Sequence, residues 1–114
     1  MQKAHSDIAS KLEQELRRGV LMLAVLSQLK KDEYGYSLRQ ALEARGMPIE
    51  EGTLYPLLRR MEEQGLLQSE WKIEDGPPRR YYRRSAQGEG IYRDLAAQWR
   101  ALVGTVEALM EEGT

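Results

Sequence analysis

The stretch from Gly52 to Leu67 most constrains what this chain can fold into. On a helical wheel, at about 100° per residue, it has one apolar side and one polar side that carries two arginines. The apolar side consists of Leu54, Leu58 and Met61, with Leu57 at its shoulder. Gly65 ends this pattern, and the residues after it alternate with a period of two, which is typical of a β-strand. The stretch therefore predicts a short amphipathic helix that leads directly into a strand.

The polar side of this helix has two interpretations. It carries Pro56, Arg59 and Arg60, together with Gly52 and Glu63, and has Thr53 and Tyr55 at its flanks. Considered alone, such a face is more often simply solvated. A helix of this size also fits the major groove of DNA, where these side chains can reach bases and phosphates. The predicted structure of the neighbouring segments distinguishes between these two interpretations.

A second helix is predicted immediately before the first. Asp32 is a candidate N-cap residue for a helix that runs to about Arg45, and Gly46 then supplies the glycine that commonly follows a helix. Residues 47–49 form a short extended link, because the residue before Pro48 avoids the helical region. With the next helix expected over about residues 50–64, the pair predicts a helix-turn-helix.

Residues 67–84 predict a β-hairpin. The period-two pattern of residues 67–74 is followed by Asp-Gly-Pro-Pro at 75–78, which is turn chemistry, and by a second strand at 79–84. Alternation along this strand places one of its two tyrosine rings, at 81 and 82, in the core. A hairpin that follows a helix-turn-helix predicts a winged helix.

Cations surround the predicted hairpin tip. Lys72, Arg79 and Arg80 lie there, where a wing meets phosphates and adds affinity that depends on salt but not on base sequence. Tyr36, at the start of the second helix, is a further candidate for a phosphate contact.

Long helices are predicted at both ends of the chain. The first is expected over residues 6–30, with Ser6 as a candidate N-cap, and its early apolar residues recur every four positions at Ile8, Leu12 and Leu16. After Val20 this helix becomes apolar nearly all round, which predicts burial on several sides.

The last helix, which Ser85 can cap, is expected over about residues 86–110. Its apolar residues are spaced 4, 3, 4, 3, as in a coiled-coil seam: Leu95, Trp99, Leu102, Val106 and Leu109. At about 1.5 Å per residue this helix is about 37 Å long. A small winged domain cannot cover all of that length, so the seam predicts a homodimer. The alternative is a helix that folds back on its own domain.

Trp99, in the middle of the seam, also has two interpretations. A tryptophan in such a place is usually a packing or interface anchor. It could instead face its copy across a two-fold axis and line a cavity for flat apolar ligands.

Composition excludes several other classes of protein. At 114 residues the chain is one domain, and its net charge of −1 argues against nonspecific adhesion to nucleic acid without excluding a local basic patch. There is no Cys, His5 is the only histidine, and no acidic cluster has metal-ligand spacing, so neither an enzyme nor a metal or cofactor site is expected. The longest apolar run, at 19–29, is too short to span a bilayer, which predicts a cytoplasmic protein with no membrane partner.

Five short motifs carry a resemblance to a known family. They are Tyr-Gly-Tyr-Ser-Leu at 34–38, Glu-Gly-Thr-Leu-Tyr-Pro at 51–56, Leu-Arg-Arg-Met-Glu at 58–62, Gly-Leu-Leu at 65–67 and Pro-Arg-Arg-Tyr-Tyr at 78–82. Together they resemble the short, single-domain branch of the PadR family of bacterial transcriptional regulators, from about residue 18 to residue 88. Two positions depart from the pattern of that family. Glu50 stands where relatives often have a capping Ser, and Arg84 stands where an apolar residue usually ends the second wing strand.

The resemblance implies a winged helix-turn-helix homodimer in which the last helix packs on the first helix of the other subunit. It also implies repression that a small molecule or another signal relieves by changing the spacing of the two DNA-binding heads. In multidrug-sensing relatives, a tryptophan at the position of Trp99 stacks planar drugs at the dimer interface. A small planar hydrophobic effector is therefore a further expectation.

Sequence and resemblance together predict a mainly α fold with a small β-hairpin: a winged helix-turn-helix with N- and C-terminal dimerisation helices. Residues 1–114 form a single domain, with the DNA-binding part at 18–84 and the dimer interface in helices 6–17 and 85–111. The expected function is a homodimeric, sequence-specific repressor that binds a pseudo-palindromic operator in double-stranded DNA and is relieved by a ligand or signal. The alternative is a dimeric protein-interaction module that uses the helix-turn-helix face for a protein partner.

Two sets of site residues follow from this prediction. The candidate DNA contacts are Tyr36, Thr53, Tyr55, Pro56, Arg59, Arg60, Lys72, Arg79 and Arg80. The candidate dimer-interface or ligand residues are Leu12, Leu16, Leu95, Trp99, Leu102 and Val106.

Overall fold

The computed structural model describes residues 2–113 and is mainly helical with one small antiparallel sheet. The elements in chain order are α1 (Gln2–Ser27), β1 (Glu33–Tyr34), α2 (Gly35–Ala44), α3 (Glu51–Glu63), β2 (Leu67–Lys72), β3 (Arg79–Arg84) and α4 (Ala86–Glu112). The fold is the predicted winged helix, in which α2 and α3 form the helix-turn-helix and β2 and β3 form the wing.

One hydrophobic core joins the second half of α1 to α2, α3 and the sheet. Its fully buried side chains are Val25, Leu26, Leu29, Leu38, Leu54, Leu58 and Met61. The apolar side of α3 that the helical wheel predicted is therefore the side that faces the core. This packing fixes which side of α3 remains exposed.

The wing is larger than the predicted hairpin. β2 pairs with β3 as the predicted hairpin requires, in the register Leu67↔Arg84 to Lys72↔Arg79, and it ends two residues before the predicted period-two pattern does. β1, which the sequence did not predict, adds a third strand on the other side of β3 and gives the order β1-β3-β2. Alternation holds along β3, where the ring of Tyr82 is buried in the core and that of Tyr81 is half-buried outside it.

The ends of α3 match the predicted ends to within one residue. Glu50 is its N-cap residue in an extended conformation and makes no side-chain capping hydrogen bond, as the absence of a capping Ser led us to expect. Pro56 lies inside the helix, which continues through it although proline supplies no backbone donor. Gly65 then adopts φ +83°, a left-handed conformation that favours glycine, and the chain turns directly into β2.

The predicted bounds of α1 were wrong at both ends. The helix already includes residues 2–5, so Ser6 lies within it and is not its N-cap. It ends at Ser27 and not at residue 30, because the following amides donate to carbonyls three residues back, from Gln28 to Val25 at 3.1 Å and from Leu29 to Leu26 at 3.2 Å. The predicted boundary between residues 17 and 18 also falls inside this one continuous helix.

The predicted cap of α2 was also wrong. The helix begins at Gly35 with Tyr34 as its N-cap residue, whose backbone amide donates to the Ser37 hydroxyl at 3.1 Å. Asp32 is not a cap, because its carboxylate accepts a hydrogen bond from the ammonium of Lys72, 40 residues away. Gly46 has the expected left-handed conformation after the helix, at φ +90°.

α4 is capped as predicted and is docked tightly on the turn after α3. The Ser85 hydroxyl accepts a hydrogen bond from the amide of Gly88 at 2.9 Å and donates to the carbonyl of Gly65 at 2.7 Å. The Ser85 amide donates to the carbonyl of Leu66 at 3.0 Å. These bonds fix the direction in which α4 leaves the winged domain.

Arg84 is buried where β3, α1 and α4 meet. Its side chain is only 7% exposed, and its Nε lies 2.8 Å from the carboxylate of Glu89. Its Nη1 donates to the carbonyl of Leu26 at 3.2 Å, and its guanidinium lies 4.3 Å from the centre of the Tyr92 ring. The inward position at the end of the wing is thus occupied by a cation that contacts a carboxylate, a backbone carbonyl and an aromatic ring.

The two long helices leave apolar side chains exposed beyond the core. Leu16 on α1 is 77% exposed and Leu102 on α4 is 57% exposed, and their neighbours on the two stripes are similarly open. The other members are Ile8, Leu12, Trp99, Val106, Leu109 and Met110. Among the described residues, no helix is long and apolar enough to cross a membrane.

Candidate nucleic-acid interface

The outer face of α3 presents the side chains that the sequence analysis assigned to DNA. Thr53, Pro56, Arg59 and Arg60 are all exposed, opposite the buried leucines. Within residues 2–113, neither arginine forms an ion pair with a carboxylate. Both guanidinium groups are therefore available to an anion, and both can donate to the acceptors on base edges.

Tyr55 has a structural role as well as an exposed edge. Its ring packs against the backbone at the start of α2, where a Cβ added at Gly35 would lie 2.3 Å from Tyr55 Cε1. The contact holds the beginning of α3 against the beginning of α2. Tyr36, one residue further along α2, is more exposed, and its hydroxyl accepts a hydrogen bond from Gln40 Nε2 at 2.9 Å.

The three cations predicted at the wing have different surroundings. The Arg79 guanidinium lies 4.5 Å from the centre of the Tyr34 ring and has no carboxylate partner in the part of the chain that the structure describes. Lys72 is bound to Asp32 and lies over the Tyr81 ring at 4.8 Å. Because Arg80 also forms an ion pair, with Glu62, Arg79 is the one of these three cations that has no carboxylate partner among the described residues.

Arg80 is held by α3. Its Nη2 lies 3.0 Å from Glu62 Oε1, and its Nε donates to the Ser69 hydroxyl at 3.0 Å. Ser69 in turn donates to the other oxygen of Glu62. This small network ties the wing to α3, so the two elements present a common surface.

Two groups of the sheet have perturbed pKa values. The hydrogen bond from Lys72 to Asp32 raises the pKa of that ammonium above its ordinary value, so Lys72 stays charged. Burial raises the pKa of the Tyr82 phenol, which therefore stays neutral in the core.

A cleft of about 460 Å³ separates α3 from the wing. Its walls include Tyr55 and Arg59 from one side, and Trp71, Arg79, Arg80 and Tyr82 from the other. Trp71 was not among the DNA contacts expected from the sequence, where alternation only placed it on the same side of β2 as Leu67. The strand runs past the end of the core, so this ring is 65% exposed. Its cross-strand pairing with Arg80 is the signal that could have assigned it to the cleft.

A second groove, of about 410 Å³, lies between α1 and α4. It brings together four of the six predicted interface residues, Leu16, Trp99, Leu102 and Val106. Leu95 lies next to it in an adjoining groove that shares Trp99, whereas Leu12 is exposed further along α1 and lines neither. Within residues 3–113, no group of three or more acidic or histidine side chains is placed to hold a metal ion.

A helix-turn-helix followed by a wing, with an exposed arginine-bearing second helix, defines the class of winged-helix DNA-binding proteins. Comparison with known proteins gives the family. Residues 22–94 match the transcriptional regulator PadR-like family, and the chain belongs to that family of DNA-binding transcriptional regulators, which are not enzymes.

Individual relatives agree with this assignment. A crystal structure of a PadR family transcriptional regulator from Eggerthella lenta is 49% identical, with a TM-score of 0.90 over 96% of this chain and 97% of that one. A PadR-like transcriptional regulator from Bacillus cereus is 30% identical, with a TM-score of 0.76 over 84% of this chain and 96% of that one. A transcriptional regulator from Mycobacterium tuberculosis is 40% identical over 75 residues, which are 65% of this chain and 70% of that one.

Proposed function

We propose that the chain acts as a homodimeric repressor that places α3 in the major groove of a pseudo-palindromic operator. The observation that carries the proposal is the outer face of α3, where Arg59 and Arg60 are exposed and free of carboxylates. Thr53 and Pro56 lie on the same face and complete the surface that meets base edges. A repressor of this kind acts by occupying its operator, so the proposal is tested by measuring the affinity of the protein for DNA.

The remaining candidate residues contact phosphates and position the helix. Arg79 is the main phosphate contact of the wing, because its guanidinium group has no carboxylate partner among the described residues. Lys72 and Arg80 contact phosphate only after leaving Asp32 and Glu62, so their contribution is smaller. Tyr36 at the start of α2 and Tyr55 within α3 are both exposed, and their hydroxyl groups can donate hydrogen bonds to DNA phosphates.

The exposed apolar stripes support the dimer. Large apolar side chains that stay open along both α1 and α4 are the mark of a surface that another protein covers. In the proposed dimer, residues 18–84 bind DNA, and the segments 6–17 and 85–111 form the interface. Two copies of α3 that enter successive major grooves on one face of the duplex require half-sites about 34–36 Å apart.

The groove at Trp99 supports relief of repression by a small planar hydrophobic effector. Apart from Glu107, its walls are apolar and include the indole ring of Trp99, which suits a flat apolar molecule. Because the groove lies between the two proposed dimer helices, an occupant changes their separation and thereby the spacing of the two α3 helices.

The DNA-binding part of the proposal is tested with an Arg59→Ala, Arg60→Ala double variant and a duplex from upstream of the gene. We expect wild-type affinity to fall steeply as salt rises, and the double variant to bind about 100-fold more weakly, since each base-contacting arginine contributes about 1–3 kcal/mol. Fluorescence anisotropy measures both. An Arg45→Ala, Arg93→Ala variant removes the same charge elsewhere and should bind normally.

Two results of that experiment contradict the proposal. Equal affinity of the Arg59, Arg60 variant and the wild type means that α3 is not the recognition helix. No salt-dependent binding by the wild type to any upstream duplex favours the alternative, a module that uses this face for a protein partner.

The effector part is tested by fluorescence. The chain has two tryptophans, so a Trp71→Phe variant leaves Trp99 as the only indole. We expect planar aromatic compounds to quench this emission and to release the operator at the same concentrations. A Trp99→Phe variant should lose the quenching. If no compound in a broad panel quenches Trp99, the proposal of a planar effector is contradicted, whereas the proposal of a DNA-binding repressor is not affected.

A further inference from the structure

We infer that the cleft between α3 and the wing seats one phosphodiester strand of the bound duplex, and that Trp71 is the wall on which a deoxyribose of that strand packs. The inference rests on the proposed function and names a DNA-contacting residue outside the set predicted from the sequence. It begins with the position of Trp71. Pairing opposite Arg80, Trp71 lies on the same sheet face as the buried Tyr82, but beyond the end of the core, with 65% of its surface exposed.

The cleft is selective for an anion. The ionisable side chains that line it are Arg59, Arg79, Arg80 and three tyrosines, and no carboxylate is among its lining residues. This is a local concentration of positive charge in a chain that has 18 acidic and 17 basic residues. Arg59 and Arg79 stand on opposite walls with no carboxylate partner in the described part of the chain, so an anion between them meets two free guanidinium groups.

The molecule that fills the cleft must also have an apolar part that covers the exposed indole ring of Trp71. A nucleic-acid backbone alternates a charged phosphate with an apolar sugar, and the lining of the cleft combines guanidinium groups with the rings of Trp71 and Tyr55. An inorganic anion would leave the ring uncovered. Position supports the same occupant, because α3 on one wall is the helix proposed for the major groove and the wing on the other is the element that follows it in the family's fold. A strand that leaves the groove on this side passes between them.

Because a sugar is the same in every sequence, the contact is independent of base identity. Truncation of Trp71 should therefore weaken specific and nonspecific binding by the same factor. It removes no charge, so the dependence of affinity on salt should be unchanged. Removal of Arg79, in contrast, should reduce the salt slope by about one phosphate contact.

The experiment compares Trp71→Ala, Trp71→Phe and Ile73→Ala by anisotropy, on the operator and on an unrelated duplex of equal length. We expect Trp71→Ala to bind both duplexes about five- to tenfold more weakly, at the low end of the effect of losing an aromatic stacking platform. Trp71→Phe keeps a flat ring and should stay within about twofold of wild type. Ile73 is equally open on the same hairpin but does not line the cleft, so Ile73→Ala is the matched control and should bind normally. Thermal unfolding of each variant establishes that an exposed ring was removed without loss of the fold.

Each remaining outcome overturns the inference. Wild-type affinity of Trp71→Ala for both duplexes means that no strand packs on the ring. A loss confined to the operator means that Trp71 reads bases. A loss for Ile73→Ala as large as that for Trp71→Ala means that the hairpin matters but the cleft does not. The Arg59, Arg60 variant separates this inference from the function on which it rests, because a normal Trp71→Ala beside a weakened arginine variant contradicts the inference alone.

Discussion

Gly88 is the residue on which the junction between the winged domain and α4 depends. A Cβ at this position would lie 1.9 Å from the carbonyl oxygen of Leu66 and 2.9 Å from its carbonyl carbon. Both are backbone atoms, so no side-chain rotation relieves the overlap. The close approach lets Ser85 bond to the turn at Gly65 and Leu66 while it caps α4.

We expect Gly88→Ala to destabilise the fold by about 1–3 kcal/mol, since overpacking against a fixed backbone has this cost. Gly90, two residues later in the same helix, has nothing within 4 Å of an added Cβ. Gly90→Ala should therefore stabilise by about 0.5–1 kcal/mol, because alanine has the higher helix propensity. Urea unfolding of the two variants measures both changes. Equal effects of the two substitutions would contradict the tight contact at Gly88.

Arg84 is the other residue whose surroundings the sequence did not reveal. Its departure from the apolar residue usual in the family left the inner face of β3 unexplained. The structure pairs its charge with Glu89, the Tyr92 ring and the carbonyl of Leu26. A buried cation requires partners of this kind, and they are supplied by α4, which follows directly, and by α1, 58 residues away in the chain.

At the scale of elements, the sequence predicted best where a local signal sets the end of a helix. Gly46 and Gly65 end α2 and the α3 turn through their own left-handed conformations, and Ser85 begins α4 through its own hydroxyl. The apolar side of α3 followed from its period alone. These features need no knowledge of distant residues, so periodicity and capping chemistry were sufficient.

The predictions were incomplete or wrong where contacts with residues distant in sequence determine the local structure. β1 has two residues, too few to show a period, and exists because Glu33 and Tyr34 pair with Tyr82 and Tyr81. Asp32 has the chemistry of a cap but is bound by Lys72. Trp71 lies on the same face of β2 as the buried Leu67, yet its ring is 65% exposed. Tertiary contacts of this kind cannot be deduced from a local window of sequence.

For the whole molecule, the exposed stripes of α1 and α4 make a prediction about assembly. We expect sedimentation to give twice the 13.1 kDa mass of one chain, and Leu102→Glu to give a monomer, because a carboxylate in the seam is left unpaired and desolvated. Ala97→Glu adds the same charge on the opposite side of α4 and should remain dimeric. The monomeric variant should also bind the operator far more weakly, since it presents one α3 at a time.

A wild-type chain that sediments as a monomer at micromolar concentration contradicts the proposed assembly. The same holds if Leu102→Glu and Ala97→Glu have equal effects, because the seam would then have no special role.

The unbroken course of α1 has a mechanical consequence. The helix runs without a break for 26 residues, from the open apolar stripe into the core, where it packs against α2. At about 1.5 Å per residue it is a rod about 39 Å long. A tilt of about 5° at one end of such a rod displaces the other end by about 3 Å, which is close to the rise of one base pair. In the proposed dimer, this helix is therefore expected to act as a lever arm that converts a small change of angle between the subunits into a shift of the α3 helices along the duplex.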